Sequence, residues 1–284
     1  MALIPQSFKD AVVAIGANGK WVATGFVVAR KNENGGYNTF LVTNKHVFEK
    51  EDGLVNSNEI TLRFNLHNRI DAKDFYAKVI KKDEKHYSVH PNPNVDVAAM
   101  LLNGAILKND LGELSAFLFE NEVSLTRKDM IDNDVLEGSL VYMLGFPSGI
   151  VGLNSKVPLI RLGCISRISD VGVNDPFLVD IQNFPGSCGS PIINRLESIH
   201  LKGSKFFQKT SLVGIVSGYL PYEDLLISAQ TGKVMEKISE NSGIAVAFGV
   251  DCIKEVVEIE FSRVSKNEVL SPNEQNPNIH EEDK

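Results

Sequence analysis

The sequence predicts an all-β chain made of two successive units with one helix near its end, and three observations carry that reading. Short runs rich in β-branched and aromatic residues recur along the chain, a composition that suits pleated, half-buried strands. Between them stand turn-forming clusters such as Asn18-Gly19 and Asn34-Gly35-Gly36, which hairpin connections favour. Only from Asp251 does the apolar period change from that of a strand to that of a helix.

In the first half, strands are expected at 11–15, 22–29, 39–43, 59–64 and 75–80, then at 95–102 after a polar loop with two prolines. These make a first unit over residues 1–118. The second unit, 119–250, has strand candidates at 139–144, 159–168, 177–182, 190–194, 212–217 and 244–249. Connections 194–212 and 220–243 exceed ordinary hairpin length and are candidates for functional surface. Over 251–264, Asp251 can cap a helix whose Ile253, Val256, Val257 and Phe261 fall near one face. That helix is expected to dock on the second unit. Residues 265–284 are polar, contain two prolines and end in Glu-Glu-Asp-Lys, which predicts a disordered tail.

Composition bounds the function. A chain of 284 residues, 43% hydrophobic and 23% charged, has the make-up of one large or two small globular domains. Its net charge of -7 and pI of about 5.5 argue against a surface for nucleic acid or anionic lipid, so neither nucleic acid nor membrane is expected as a partner. The start of the chain lacks a charged leader and no apolar run is long enough for a bilayer, so a cytoplasmic protein is expected. Three cysteines, Cys164, Cys188 and Cys252, suggest thiols in a reducing compartment rather than a disulfide framework. Cys164 and Cys252 sit among apolar residues and read as small buried hydrophobes.

Cys188 is different. In Phe184-Pro185-Gly186-Ser187-Cys188-Gly189-Ser190-Pro191, glycines flank a thiol, and such a turn can aim amide N–H groups at one point. A thiol there makes sense if it attacks a carbonyl whose oxygen needs fixed donors; the bland reading is a tight loop with an incidental cysteine. A nucleophilic thiol wants an imidazole beside it. Of His46, His67, His86, His90, His200 and His280, His46 follows the apolar strand Phe40-Leu41-Val42-Thr43 directly, where rigid scaffold meets solvent. Asp96 stands at the entry to another apolar run, and a buried acid needs a partner. His86 and His90 would lie roughly 13 Å apart in extended chain, too far for one metal ion. His67 reads as a solvated loop residue, and the mixed-sign run 81–85 as an exposed turn. Residues 145–152 lack the Lys and the Gly spacing of a phosphate loop. Neither metal nor cofactor is expected.

With these residues assembled, the chain resembles the chymotrypsin/trypsin-like peptidase family, in particular its intracellular bacterial branch and the viral cysteine peptidases of the same fold. The order His46, Asp96, Cys188, with the acid about 50 residues after the histidine and the nucleophile about 90 after the acid, matches that family and not subtilisin-like or α/β-hydrolase enzymes. Thr43-Asn44-Lys45-His46 resembles the family's base motif, and Gly186-Ser187-Cys188-Gly189-Ser190-Pro191 its nucleophile motif. Trp21-Val22-Ala23-Thr24-Gly25-Phe26-Val27 and Met143-Leu144-Gly145-Phe146-Pro147 are similar to recurring strands of the bacterial members.

The resemblance implies two antiparallel six-stranded β-barrels with a C-terminal helix, and a Cys-His-Asp triad at the groove between them that hydrolyses peptide bonds in proteins. It implies an oxyanion hole from the amides of Gly186 and Cys188. A cleft strand at Gly214-Ile215-Val216-Ser217 follows, with Ser217 near Asp96 and Gly218 and Tyr219 beyond it. Gln182 falls at the base of the specificity pocket, so a neutral or polar side chain is expected there, with Gly243 opening one wall and Tyr219 narrowing another. Partners are then a protein or peptide substrate and a regulatory protein. Two alternatives stay open: a serine peptidase whose nucleophile has been replaced by Cys188, and a peptide-binding module without turnover. Ser187 offers no carboxylate to a newly cut N-terminus, so activation by trimming is not expected. Restraint would then lie in a 220–243 loop that gates the pocket, unless that segment is a plain surface insertion.

Overall fold

The computed structural model describes residues 4–66, 71–81, 84–112, 114–119, 123–151, 156–196, 207, 209–270 and 279–280. His67, His200, much of the 194–212 connection and Lys82-Asp83 of the charged turn lie outside the described residues.

A short helix α1 (Gln6–Ala11) leads into β1 (Val12–Ala17), which turns through Asn18-Gly19 into β2 (Lys20–Lys31). Both turn residues have positive φ, 51° and 74°, as a tight hairpin demands. There follow β3 (Tyr37–Thr43), the single turn α2 (Lys45–Phe48), β4 (Glu59–Asn65), β5 (Ala72–Lys78), the hairpin β6 (Ile80–Lys81) and β7 (Glu84–Lys85), β8 (Ser88–Val89) and β9 (Ala98–Leu102). Apart from the small hairpin these join one sheet in the order β5-β4-β1-β2-β3-β9-β8, curled around Val13, Ile15, Val27, Leu41, Leu62, Phe75 and Met100.

The closed six-stranded barrel expected of this half is not formed by a strand ladder. The chain around Pro91 and Pro93 has no proline N–H to give to a ladder. Paired strand is confined to 88–89 and 98–102. Just past β5, His86 N–H donates to Val79 C=O at 2.9 Å, while the outer edge of β5 itself pairs with Ile279–His280.

After helix α3 (Gly104–Leu111), β10 (Phe117–Leu118), which pairs with β2, and helix α4 (Arg127–Asp132), the second half builds a barrel. Its strands are β11 (Leu140–Gly145), β12 (Leu159–Arg167), β13 (Phe177–Asp180), β14 (Pro191–Asn194), β15 (Leu212–Ile227) and β16 (Val234–Gly249). They close in the order β11-β12-β13-β16-β15-β14 around Val141, Met143, Ile165, Val179, Ile192, Val213 and Ala247. The two helices depart from the all-strand expectation, and each has a local cause. Asn103 accepts from Ile106 N–H at the start of α3, and Thr126 with Asp129 forms a capping box on α4.

The long connection expected at 220–243 is also overturned. β15 and β16 are 16 residues each and run out of the barrel as a two-stranded ribbon. With no loop there, the loop gate has no counterpart in the structure.

The halves meet through the outer faces of β2 and β3. Phe26, Val28, Phe40 and Val42 pack with Tyr142, Leu144, Phe146, Ile215 and Phe248, so these strands are buried on both sides. Lys156, itself buried, fastens the approach to β12 onto the start of β1 by donating to the carbonyls of Asp10 and Val12. Burial pushes its pKa down to about 7.

Helix α5 (Val250–Leu270) extends past the expected end at 264, and Ile279–His280 (β17) pairs with β5, so parts of the expected disordered tail are helix and strand. Ile253, Val256 and Val257 are buried. The helix spans both halves instead of docking on the second alone. Asp251 accepts from Arg127 N–H (2.7 Å), which replaces the capping role expected of it. Fully buried Glu260 accepts from Ser88 Oγ (2.7 Å) and Leu101 N–H (3.1 Å). No helix among the described residues is long and apolar enough to cross a membrane.

Candidate active site

β3 delivers His46 to the groove between the halves on the one-turn helix α2. Asp96 arrives from the prolyl segment just before β9 and takes two of the donors of that histidine, its backbone N–H and Nδ1. Its Oδ1 accepts from His46 N–H (3.0 Å) and its Oδ2 lies 2.6 Å from His46 Nδ1. Asn44 Nδ2 donates to Asp96 C=O (2.8 Å), and Asn56 Nδ2 to His46 C=O (2.8 Å). A third side chain comes from the other half. Ser217 occupies a register shift in β15, where Val216 pairs with Ala247 and Gly218 with Val246. Such a bulge re-aims a side chain, and Ser217 Oγ donates to Asp96 Oδ2 at 2.7 Å.

Cys188 sits in the 183–190 loop between β13 and β14, and that loop is held chiefly by Thr24 of β2. Thr24 N–H donates to Cys188 C=O (2.9 Å). The Thr24 hydroxyl donates to Gly186 C=O (2.8 Å) and accepts from Phe146 N–H (3.0 Å), while Thr24 C=O accepts from Thr43 Oγ1 (2.8 Å). Gly186 has φ +92°, and a Cβ there would stand 2.6 Å from Phe146 C=O, so glycine is needed on both counts. Among the described residues the amide N–H groups of Gly186 and Cys188 make no backbone hydrogen bond, whereas Ser187 N–H and Gly189 N–H donate to Phe184 and Val216 carbonyls. Two free donors therefore flank the thiol.

The Cys188 side chain lies close enough to His46 to act on its charge. The imidazole, half exposed, is opposed in its charge by partial burial, but the bond to Asp96 and then the influence of the Cys188 side chain outweigh that and raise its pKa to about 10. Because folding raises this pKa above the ordinary 6.5, the protonated ring stabilises the fold fully below pH 6.5, and the contribution is lost as pH rises toward about 10. Melts of His46→Gln and the parent chain are expected to differ most below pH 6.5 and to converge at the alkaline end. A difference that grows with pH overturns this assignment.

The residues expected to bind substrate lie on neighbouring strands. Gln182 follows β13 and is exposed; Gly243 of β16 has φ +83°, and a Cβ there would stand 3.5 Å from Gln182 Nε2. Ser217, Gly218 and Tyr219 succeed one another on β15, with Tyr219 opposite Ala245. His90 is buried and committed elsewhere: its Nε2 lies 3.1 Å from Glu255, and its Nδ1 accepts from Asn92 N–H. Among the described residues no three His, Cys, Asp or Glu side chains are grouped to hold a metal ion.

Thr24, Asn44 and Asn56 are the site residues to which the sequence assigned no role. Asn44 stood inside the base motif and Thr24 inside a quoted strand, so the positions were visible while their bonds were not.

The MamO protease domain of Magnetospirillum magneticum, in its apo form, is 17% identical over 87% of this chain and 96% of that one, with a TM-score of 0.45. The structure of HBP is 10% identical over 90% of this chain and 93% of that one, with a TM-score of 0.50, a likeness of fold alone. No curated protein matches the chain. A family model described as a trypsin-like peptidase domain matches residues 23–199, more than half the chain and the whole stretch from Thr24 through His46 and Asp96 to Cys188. By that match the chain belongs to the trypsin-like peptidase family, whose activity is peptide-bond hydrolysis.

Proposed function

We propose that this chain is a cysteine endopeptidase with Cys188 as nucleophile, His46 as acid and base, and Asp96 as the group that orients His46. The observation that carries the reading is the His46 ring, held by Asp96 at Nδ1 while Asp96 and the nearby Cys188 side chain favour its charged form. An imidazole that keeps its proton across the neutral range is suited to hold a thiolate and to protonate a leaving amine. The thiolate attacks the scissile carbonyl carbon, and the oxygen that gains the electron pair faces the free N–H groups of Gly186 and Cys188. His46 gives its proton to the amine nitrogen as the C–N bond breaks. A water, deprotonated by His46, then cleaves the thioester and regenerates the thiolate. Gln182, in the position that the family resemblance gives to the base of the specificity pocket, would favour a neutral or polar side chain before the cleaved bond. The three free cysteines suit a cytoplasmic, reducing setting.

Alkylation tests the thiol directly. Cys252 is buried, which with Asp251 nearby pushes its pKa up to about 12. Brief iodoacetamide treatment followed by peptide mapping is expected to label Cys188 ahead of Cys164 and Cys252, and the His46→Gln variant to lose that lead. Equal labelling of the three, or none at Cys188, overturns the reading.

A further inference from the structure

The ribbon formed by the outer parts of β15 and β16 carries apolar side chains in water, and its two faces differ in charge. Register pairs Tyr222 with Glu240, Asp224 with Ile238 and Leu226 with Glu236, and cross-strand partners share a face. One face therefore presents Tyr222, Leu226 and Ile238, exposed by 55%, 55% and 43%, interleaved with the carboxylates of Asp224, Glu236 and Glu240. Tyr222 OH donates to Asp224 (3.1 Å), and among the described residues no Lys or Arg pairs with these three acids. The opposite face carries Leu225 and is neutralised by the Lys237–Glu223 pair at 2.7 Å. Clustered exposed apolar groups mark an interaction surface, and three uncompensated carboxylates among them fit a cationic partner.

Position names the partner. β15 is one continuous strand from Ser217, which bonds Asp96, to Ile227, and beyond Val216, among the described residues, its strand partner is β16. A polypeptide lying in the groove at Cys188 is therefore led onto the ribbon. We infer that the acidic, apolar face of the ribbon docks a basic amphipathic segment of the protein substrate, one that alternates Lys or Arg with apolar side chains outside the cleaved site. The inference rests on the peptidase reading for its substrate, but the docking itself is measured without cleavage.

The test uses the full chain and two fluorescent ten-residue peptides, one alternating Lys with Leu and one alternating Glu with Leu. The Lys peptide is expected to bind the parent chain, at least tenfold more weakly to the triple variant Asp224→Lys, Glu236→Lys, Glu240→Lys, and more weakly at high salt. A control of equal charge, Glu33→Lys, Glu51→Lys, Glu59→Lys, is expected to keep the affinity within about threefold of the parent. Equal loss in both variants, binding unaffected by the ribbon variant, or no binding of the Lys peptide overturns the docking surface. So does a parent chain that is dimeric in sedimentation and made monomeric by Leu226→Asp, since a second copy then owns the face. Docking without cleavage of any Lys-bearing substrate would sink the peptidase reading and leave the surface standing. Cleavage indifferent to the ribbon variant would do the reverse.

Discussion

Cys188→Ala and His46→Ala are each expected to lower peptide cleavage by roughly a thousandfold or more while leaving the fold intact. Cys188 contributes a thiol and an N–H; alanine removes the first and keeps the second, together with the loop's backbone bonds from Thr24 N–H and to Val216 C=O. His46 is half exposed, so its truncation opens no core cavity. Asp96→Asn is expected to retain more activity than either, because Asp96 orients the ring and stabilises its charge but passes no proton. Cys188→Ser separates a site tuned for sulfur from one tuned for a hydroxyl: activity is expected to fall by at least tenfold, and a gain instead would identify Cys188 as the replacement of a serine. Single-turnover assays on protein substrates, with circular dichroism as the control for folding, read all four. Unchanged cleavage by Cys188→Ala would remove the proposed mechanism altogether.

The parts of this fold that were legible in the sequence are those where burial imposes a pattern. Phe26-Val27-Val28 and Phe40-Leu41-Val42 read as strands because one face fills the first half and the other the junction between halves. His46 and Asp96 were legible because each borders such a run. The ribbon was not, since both of its faces meet water and no inward period continues beyond Ser217. The missing ladder between β5 and the 88–102 segment was hidden for another reason. Whether 88–89 and 98–102 meet β5 through a ladder depends on the path of a proline-bearing segment, which local propensity does not fix. Helix α3 was missed although Asn103, Leu107, Leu111 and Gly112 spell out a cap, a buried face and a stop; its eight residues are short against the strands around it.

Thr24→Val is expected to cut kcat by roughly ten- to a hundredfold with a smaller change in KM, on the scale of weakening one oxyanion donor. The sequence gives this residue a place in a strand but no role, since threonine is ordinary there, and its partners Gly186 and Phe146 lie 162 and 122 residues away. Valine keeps the shape but removes the hydroxyl, leaving the Gly186 carbonyl and the Phe146 N–H without their partner; a buried polar group left so costs about 1–3 kcal/mol. The loop is expected to relieve that cost by turning the Gly186–Ser187 peptide, whose carbonyl has lost its donor, and the adjoining N–H groups of Gly186 and Cys188 that would face the oxyanion shift with it. The thiol and His46 are not touched by the change. Iodoacetamide attacks through a saturated carbon and develops no oxyanion, so the rate of Cys188 alkylation is expected to stay within about twofold of the parent while peptide cleavage falls. Thr24→Ser, which keeps the hydroxyl and loses one methyl, is expected to recover most of kcat. Alkylation that declines in step with cleavage would mean that Thr24 acts on the thiol and not on the amides, and a Thr24→Val variant with undiminished kcat would show that the loop holds its shape without this residue.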